Sequence, residues 1–339
     1  MTRLTACLAL FLAAGCIERA ETIVIKEDGG ARFVTVVRGD PGDVQGGDVL
    51  PSKETGWQVE DRTETDAEGK QTLIRTASRE VAAGAPLPAS YAPEGSRAAQ
   101  LGLNFPTTIQ VEQADNGTYY HFRRVYPRRT WWTVEYLRQK AFENNEVKKL
   151  GEMDPKTLTE AERAFLVDTL ANYAADEMGT FLDLAAAGLS PPLPQRAFLD
   201  ARRSARPIYH DKQLAARVVD LLTDGAPVDL APLEHEVRTR AKDAISVSLT
   251  DAGVPKDRIA AFLEAFEQVR ETYELTKDLS DESWKVTVEL PGTIVAHNAG
   301  EADSAAPNQV EWRFDGKAFF DRDLVLMATS FVPKESEKR

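Results

Sequence analysis

Histidines and carboxylates are the residues of this sequence that raise the question of metal or hydrolytic chemistry. Glu234, His235 and Glu236 stand together in a segment with helical periodicity. A zinc protease needs two histidines at positions i and i+4 so that both imidazoles reach one ion, and position 239 is Thr. The four histidines are scattered, at positions 121, 210, 235 and 297. The sequence therefore predicts no metal site and no bound cofactor.

A second candidate is a row of polar side chains on one face of a predicted helix. Asp168, Asn172 and Asp176 recur at intervals of four residues. Paired carboxylates can act as general acid and base in glycoside hydrolysis. On an otherwise apolar helix they are more typical of the solvated side, and Asp321-Arg322-Asp323 is more typical of a charged turn. The usual dinucleotide, P-loop and serine hydrolase signatures are absent from the sequence, so we assign no catalytic residue.

Arginines and aromatic residues are concentrated between positions 119 and 132. This stretch, named here the arginine–aromatic segment, contains six Tyr, Phe or Trp residues and four arginines. Guanidinium groups beside aromatic rings can bind anionic head groups, glycan phosphates or the carboxylates of a partner. The alternative is a strand with both faces covered, followed by a helix whose tryptophans anchor it in the core. The candidate binding residues are Arg123, Arg124, Arg128, Arg129, Trp131 and Trp132.

Length and charge narrow the class of protein. The 339 residues are 42% hydrophobic and 28% charged, which is the balance of a globular protein. The formal net charge of −13 argues against nucleic acid as a partner, because such binding needs positive charge to release counterions from phosphates.

The amino terminus has the pattern of an export signal. Arg3 is followed by an uncharged, mostly apolar run from Leu4 to Ala14, whose 11 residues are too few to span a bilayer. The run ends in Leu12-Ala13-Ala14-Gly15-Cys16, which resembles the lipobox of bacterial lipoproteins. The resemblance implies removal of residues 1–15 and attachment of a diacylglycerol and a fatty acid such as palmitate at Cys16. The alternative is an ordinary secretory signal that leaves Cys16 as a free thiol.

The resemblance also implies a location. In lipoproteins of Gram-negative bacteria, an Asp directly after the cysteine favours retention in the inner membrane. The residue at this position is Ile17. We therefore expect an exported protein, anchored to a bacterial membrane by its lipid, with the periplasmic side of the outer membrane favoured in a Gram-negative host.

Hydrophobic periodicity divides the chain into strand-rich ends and a helical middle. We expect a signal peptide at 1–15, β-hairpins at 16–129, a helical insertion at 130–280 and strands at 281–333 that complete the sheet. Asn116-Gly117 favours a type I′ turn, and Thr157 with Glu160 fits a capping box. The predicted fold class is α+β: one antiparallel sheet built from N- and C-terminal strands, interrupted by helices.

The C-terminal strands carry a second resemblance. Leu290-Pro291-Gly292, Asn298-Ala299 and Val310-Glu311-Trp312 are similar to the repeated design of LppM-like bacterial envelope lipoproteins, over about 50 residues from Trp284 to Phe331. That family supplies no catalytic residue to transfer to this sequence.

Two classes of function remain open at this point. The first is a membrane-tethered, non-catalytic envelope lipoprotein that binds a partner protein, a lipid or an envelope polymer. The second is a periplasm-facing hydrolase whose site forms only in the fold. The absence of a local catalytic motif in the sequence favours the first.

Overall fold

The structure, a computed structural model, describes residues 17–46, 50–223, 231–300 and 306–334. The predicted signal peptide and Cys16 lie outside these residues. The chain forms two compact units. The sheet unit comprises the described residues of Ala14–Trp131 and Thr272–Arg339, and the helical unit those of Trp132–Glu271.

Ten strands build the sheet unit, and two short helices lie between them. The helices are α1 (Pro41–Gly46) and α2 (Arg97–Leu101). The strands are β1 (Glu18–Ile25), β2 (Ala31–Gly39), β3 (Gln58–Thr65), β4 (Gln71–Val81), β5 (Thr107–Ala114), β6 (Gly117–Tyr126), β7 (Ser283–Glu289), β8 (Thr293–His297), β9 (Gln309–Asp315) and β10 (Leu324–Pro333).

The strands form two sheets, and strands from the two ends of the chain meet in each. The larger sheet has the order β3-β4-β2-β1-β7-β9, and the smaller has the order β5-β6-β10-β8. The α+β class with strands from both ends is confirmed. The structure differs from the single antiparallel sheet expected, because β1 and β7 pair in parallel. More than 250 residues separate these strands, so no hairpin dictates their direction.

One hydrophobic cluster joins the two sheets. Alternate residues of β1 and β2 are buried, so that each strand turns one face inward. The cluster takes Ile23, Phe33 and Val288 from the larger sheet and Phe122 and Leu326 from the smaller. The sheet unit is therefore a two-layer structure whose core excludes water.

The hairpin between β5 and β6 differs from the expected turn. Ala114 pairs with Gly117, so the two loop residues are Asp115 and Asn116, and neither has a positive φ. The predicted type I′ turn centred on Asn116-Gly117 is wrong. Gly117 serves the close approach of β10 instead, because an added Cβ would lie 2.2 Å from the carbonyl oxygen of Val332.

The helices of the middle segment account for the helical unit. They are α3 (Trp132–Phe142), α4 (Asn145–Gly151), α5 (Glu160–Ala187), α6 (Gln195–Tyr209), α7 (Lys212–Thr223), α8 (Ala231–Asp251) and α9 (Lys256–Thr276), of which α9 ends in the sheet unit.

Two details of these helices differ from the sequence analysis. The capping box belongs to Thr159 and Glu162, whose side chain and backbone groups pair reciprocally, and not to Thr157 and Glu160. Helix α6 was not predicted, since prolines precede it and Pro207 lies within it. Its buried side consists of Ala197, Ala201 and Ala205.

Candidate functional site

Strand β6 divides the arginine–aromatic segment between two faces of the smaller sheet. Successive side chains of a strand point to opposite faces. Tyr120, Phe122, Arg124 and Tyr126 point into the core and are buried, whereas Arg123 is exposed on the outer face. Adjacent arginines thus have different environments.

Arg124 is a residue of the core. Its guanidinium is fully buried and forms a salt bridge with Glu21 of β1. Its Nε donates a hydrogen bond to Oγ1 of Thr107 at 2.9 Å, and its guanidinium carbon lies 4.7 Å from the centre of the Phe105 ring. Burial lowers the pKa of Arg124, but the Glu21 carboxylate together with Tyr126 and Tyr91 outweighs burial, so the pKa is raised. Arg124 is therefore not available to a surface ligand, which corrects the expectation from the sequence.

Glu21 has a second donor from another part of the sheet unit. The hydroxyl of Tyr91 donates to Oε1 of Glu21 at 2.6 Å, while Arg124 holds Oε2. Burial raises the pKa of Tyr91, and the negative charge of Glu21 raises it further. Burial likewise raises the pKa of Tyr126, whose hydroxyl accepts from Arg124 at 3.3 Å. The buried carboxylate of Glu21 in β1 thus links the loop that carries Tyr91 to strand β6, which carries Arg124.

A second buried ion pair lies nearby in the larger sheet. Arg19 and Glu282 are both buried, and Nη2 of Arg19 donates to Oε1 of Glu282 at 2.9 Å. The guanidinium of Arg19 also lies 5.7 Å from the centre of the Trp284 ring. The sequence does not reveal this pair, since no local spacing connects residues that are 263 positions apart.

The outer face of the smaller sheet carries the other side chains of β6. Tyr119 packs on Phe331 of β10, with ring centres 4.7 Å apart, and its ring is stacked on His121. Nδ1 of His121 lies 3.1 Å from Oγ1 of Thr329, and Nε2 lies 3.3 Å from a carboxylate oxygen of Glu112. This face combines apolar, basic and acidic groups at an exposed surface.

The remaining residues of the arginine–aromatic segment lie in the connection that follows β6. Arg129 donates to the carbonyl oxygens of Leu101 and Gly102, at 3.2 and 2.6 Å, and so caps the end of α2. Trp131 is 4% exposed, and its Nε1 donates to Oγ1 of Thr276 at 3.0 Å. Arg129 and Trp131 thus hold the fold together, which again corrects the expectation of a binding role.

Three of the six candidate binding residues remain at the surface. Arg123 and Arg128 are exposed, and Trp132 is 52% exposed. The backbone N–H of Arg128 donates to Oδ1 of Asp323 at 2.9 Å, which makes the Asp321–Asp323 stretch a structural turn and leaves the Arg128 side chain exposed. Binding of an anionic ligand stays a prediction, now confined to these three residues.

The C-terminal motif residues connect β8, β9 and β10. Oδ1 of Asn298 accepts from Nε1 of Trp312 at 3.1 Å and from the backbone N–H of Met327 at 2.8 Å, and its Nδ2 donates to the carbonyl oxygen of Val325 at 2.7 Å. Oγ of Ser330 donates to the carbonyl oxygen of Pro291 at 2.6 Å. Asn298 and Trp312 therefore have a structural role in the sheet unit.

Of the carboxylates and histidines considered from the sequence, Asp168 and His210 lie close together, with 3.9 Å between a carboxylate oxygen of Asp168 and Nδ1 of His210. Asp176 pairs with Arg206 at 2.6 Å, and Asn172 donates to Asp168. His235 lies on the exposed side of α8 beside Arg238. Among the described residues, no group of three His, Cys, Asp or Glu side chains is placed to hold a metal ion.

An open groove lies between α6 and α8 of the helical unit. Its walls include Asp200, Ser204, Asp243, Ser248 and Asp251. The groove is acidic and wide open to solvent, and the side chains that line it do not pair a nucleophile with a histidine. Its geometry assigns no chemistry to these residues.

Comparisons with known proteins give little further guidance. No family model and no curated protein matches the sequence. Among solved structures, the chain is similar to the NMR structure of the folded domain of the Mycobacterium tuberculosis LppM protein, with 8% identity over 95% of this chain and 93% of that chain and a TM-score of 0.28. These values are too low to carry a conclusion. Within the described ranges, no helix is long and apolar enough to cross a bilayer.

Proposed function

We propose that this protein is a lipid-anchored, non-catalytic protein of the bacterial cell envelope, exported and acylated at Cys16. The observation that carries the proposal is the sequence Leu12-Ala13-Ala14-Gly15-Cys16 at the end of an 11-residue apolar run. In a Gram-negative host we propose the outer membrane as its location, because Ile17 follows the cysteine.

The start of the described fold supports an anchor at this position. Ile17 is only 4% exposed and packs in a cluster with Val37, Val44 and Leu73. Its carbonyl oxygen accepts a hydrogen bond from the backbone N–H of Ser283 at 3.0 Å. The residue next to Cys16 is therefore part of the folded sheet unit, so an acylated Cys16 would hold this unit close to the membrane.

The buried charged groups support a non-catalytic role. In the sheet unit, the carboxylates of Glu21 and Glu282 are each occupied by a buried arginine. Charges engaged in this way stabilise a particular arrangement of strands and are not exposed to a substrate. The proposed role is thus recognition of an envelope component by the surface of the protein.

Metabolic labelling with palmitate tests the anchor. Wild type and Cys7→Ser should incorporate label, and Cys16→Ser should incorporate none. Cys7→Ser is the matched control, because it removes the other cysteine of the chain. Equal label in wild type and Cys16→Ser, or loss of label with Cys7→Ser alone, would refute the assignment.

A further inference from the structure

The solvent side of helix α3 carries two large aromatic rings. Trp132 is 52% exposed and Tyr136 is 56% exposed, and Lys140 follows on the next turn, also exposed. The spacing of four residues places these side chains in one line along the helix. The opposite side of α3 is buried through Val134 and Phe142. The line of Trp132, Tyr136 and Lys140 is named here the α3 outer face.

The exposure of these rings is unusual, because Trp side chains are highly buried on average and Tyr side chains are intermediate in burial. Both side chains join an apolar ring to a polar N–H or O–H group, and such side chains favour the boundary between an apolar phase and water. Lysine can extend along an apolar surface and keep its ammonium group in water. This composition is the one found where proteins meet the head-group region of a bilayer.

The charge around the α3 outer face has the sign that a membrane attracts. Residues 132–151 of the helical unit contain four lysines and arginines and three glutamates, a net charge of +1 that leaves −14 for the rest of the chain. In the next helix, α4, Lys148 and Lys149 are exposed as well. Anionic lipids attract basic residues close to their surface, whereas the acidic remainder of the chain is repelled.

We infer that the α3 outer face docks on an anionic lipid surface, with Trp132 and Tyr136 at the level of the head groups and Lys140 beside lipid phosphates. The membrane as occupant rests on the proposed lipid anchor, which would keep the protein at a bilayer. Acyl chains supply attachment, and the α3 outer face supplies a second contact that favours one orientation of the helical unit. Two contacts linked in one chain strengthen each other.

Vesicle sedimentation tests this contact apart from the anchor. The protein is the chain from residue 16 onward with Cys16→Ser, which retains every described residue and carries no acyl chain. The vesicles contain phosphatidylethanolamine with about one third phosphatidylglycerol, or phosphatidylcholine alone. We expect binding to the anionic vesicles, weakened at least about tenfold by Trp132→Ala with Tyr136→Ala.

Charge variants separate lipid docking from nonspecific adhesion. Lys140→Glu should weaken binding at least about fivefold, and Glu143→Lys, at an exposed position directly after the end of the helix, should strengthen it. Val247→Ala is the matched control for loss of an exposed apolar side chain, since Val247 is 60% exposed on α8, and should leave binding unchanged. Circular dichroism of each variant confirms that the helices remain folded.

Several results would overturn the inference. These are equal binding by the aromatic double variant and its parent, equal binding to anionic and phosphatidylcholine vesicles, or no vesicle binding by the parent. Capture of another protein through Trp132 and Tyr136 without vesicle binding would assign the face to a protein partner instead. Because the tested form lacks Cys16, a failed labelling experiment refutes the anchor alone, and failed vesicle binding refutes the α3 contact alone.

Discussion

The buried salt bridge between Arg124 and Glu21 gives a sharp prediction about what holds the sheet unit together. Replacing Arg124 by Met keeps much of the volume but leaves the Glu21 carboxylate in the core with the Tyr91 hydroxyl as its other donor. Removing one partner of a buried ion pair typically costs about 3–5 kcal/mol, against a total stability of about 5–15 kcal/mol. We therefore expect Arg124→Met to lower the free energy of unfolding by about 4 kcal/mol.

The neighbouring arginine provides the control. Arg123 is exposed on the outer face of the same strand, so Arg123→Met should change stability by less than about 0.5 kcal/mol. A second change in the partner should rescue the first: Glu21→Gln with Arg124→Met removes both charges and should recover at least about 2 kcal/mol.

Urea unfolding followed by tryptophan fluorescence measures these differences. Four of the five tryptophans, at positions 57, 131, 284 and 312, belong to the sheet unit, so the signal reports on the unit that contains the pair. Equal costs for Arg124→Met and Arg123→Met would refute the reasoning. So would a double variant as unstable as Arg124→Met alone.

Two further predictions concern the same unit. Asn298→Ala should cost about 2 kcal/mol in urea unfolding, since Trp312 and Met327 lose their acceptor and the Val325 carbonyl loses its donor. Because the pKa of Tyr91 is raised in the folded state, the unfolded chain loses this proton first as pH rises. Stability should therefore fall between about pH 9 and about pH 11, and less steeply in Tyr91→Phe. An unchanged free energy of unfolding in Asn298→Ala, or equal pH slopes for wild type and Tyr91→Phe, would contradict these assignments.

Regular elements with a clear period were predictable from the sequence. Strand β8 spans Thr293–His297 and helix α7 spans Lys212–Thr223, both with the bounds that periodicity and flanking turn residues predict. Helix α6 was missed because prolines precede it and Pro207 lies within it, and such residues normally mark the end of a helix. The environments of the candidate binding residues were predicted less well, since charge and aromatic content alone do not separate the two faces of a strand.

Alternation along β6 is the signal that could have divided the candidate residues. Once 119–125 is assigned as a strand, Arg123 and Arg124 must point to opposite faces. Arg124 then shares a face with Tyr120 and Phe122, which points to the core. Its partner Glu21 could not be identified in this way, because the salt bridge joins residues 103 positions apart and depends on how the two sheets pack.

The most direct test of the proposed function is mass spectrometry of the amino-terminal peptide from the protein purified out of its own membranes. We expect a peptide that begins at Cys16 and carries a diacylglyceryl group on sulfur, with an acylated α-amine in a host that performs that step. An amino terminus elsewhere in the chain, or an unmodified Cys16 thiol, would contradict it.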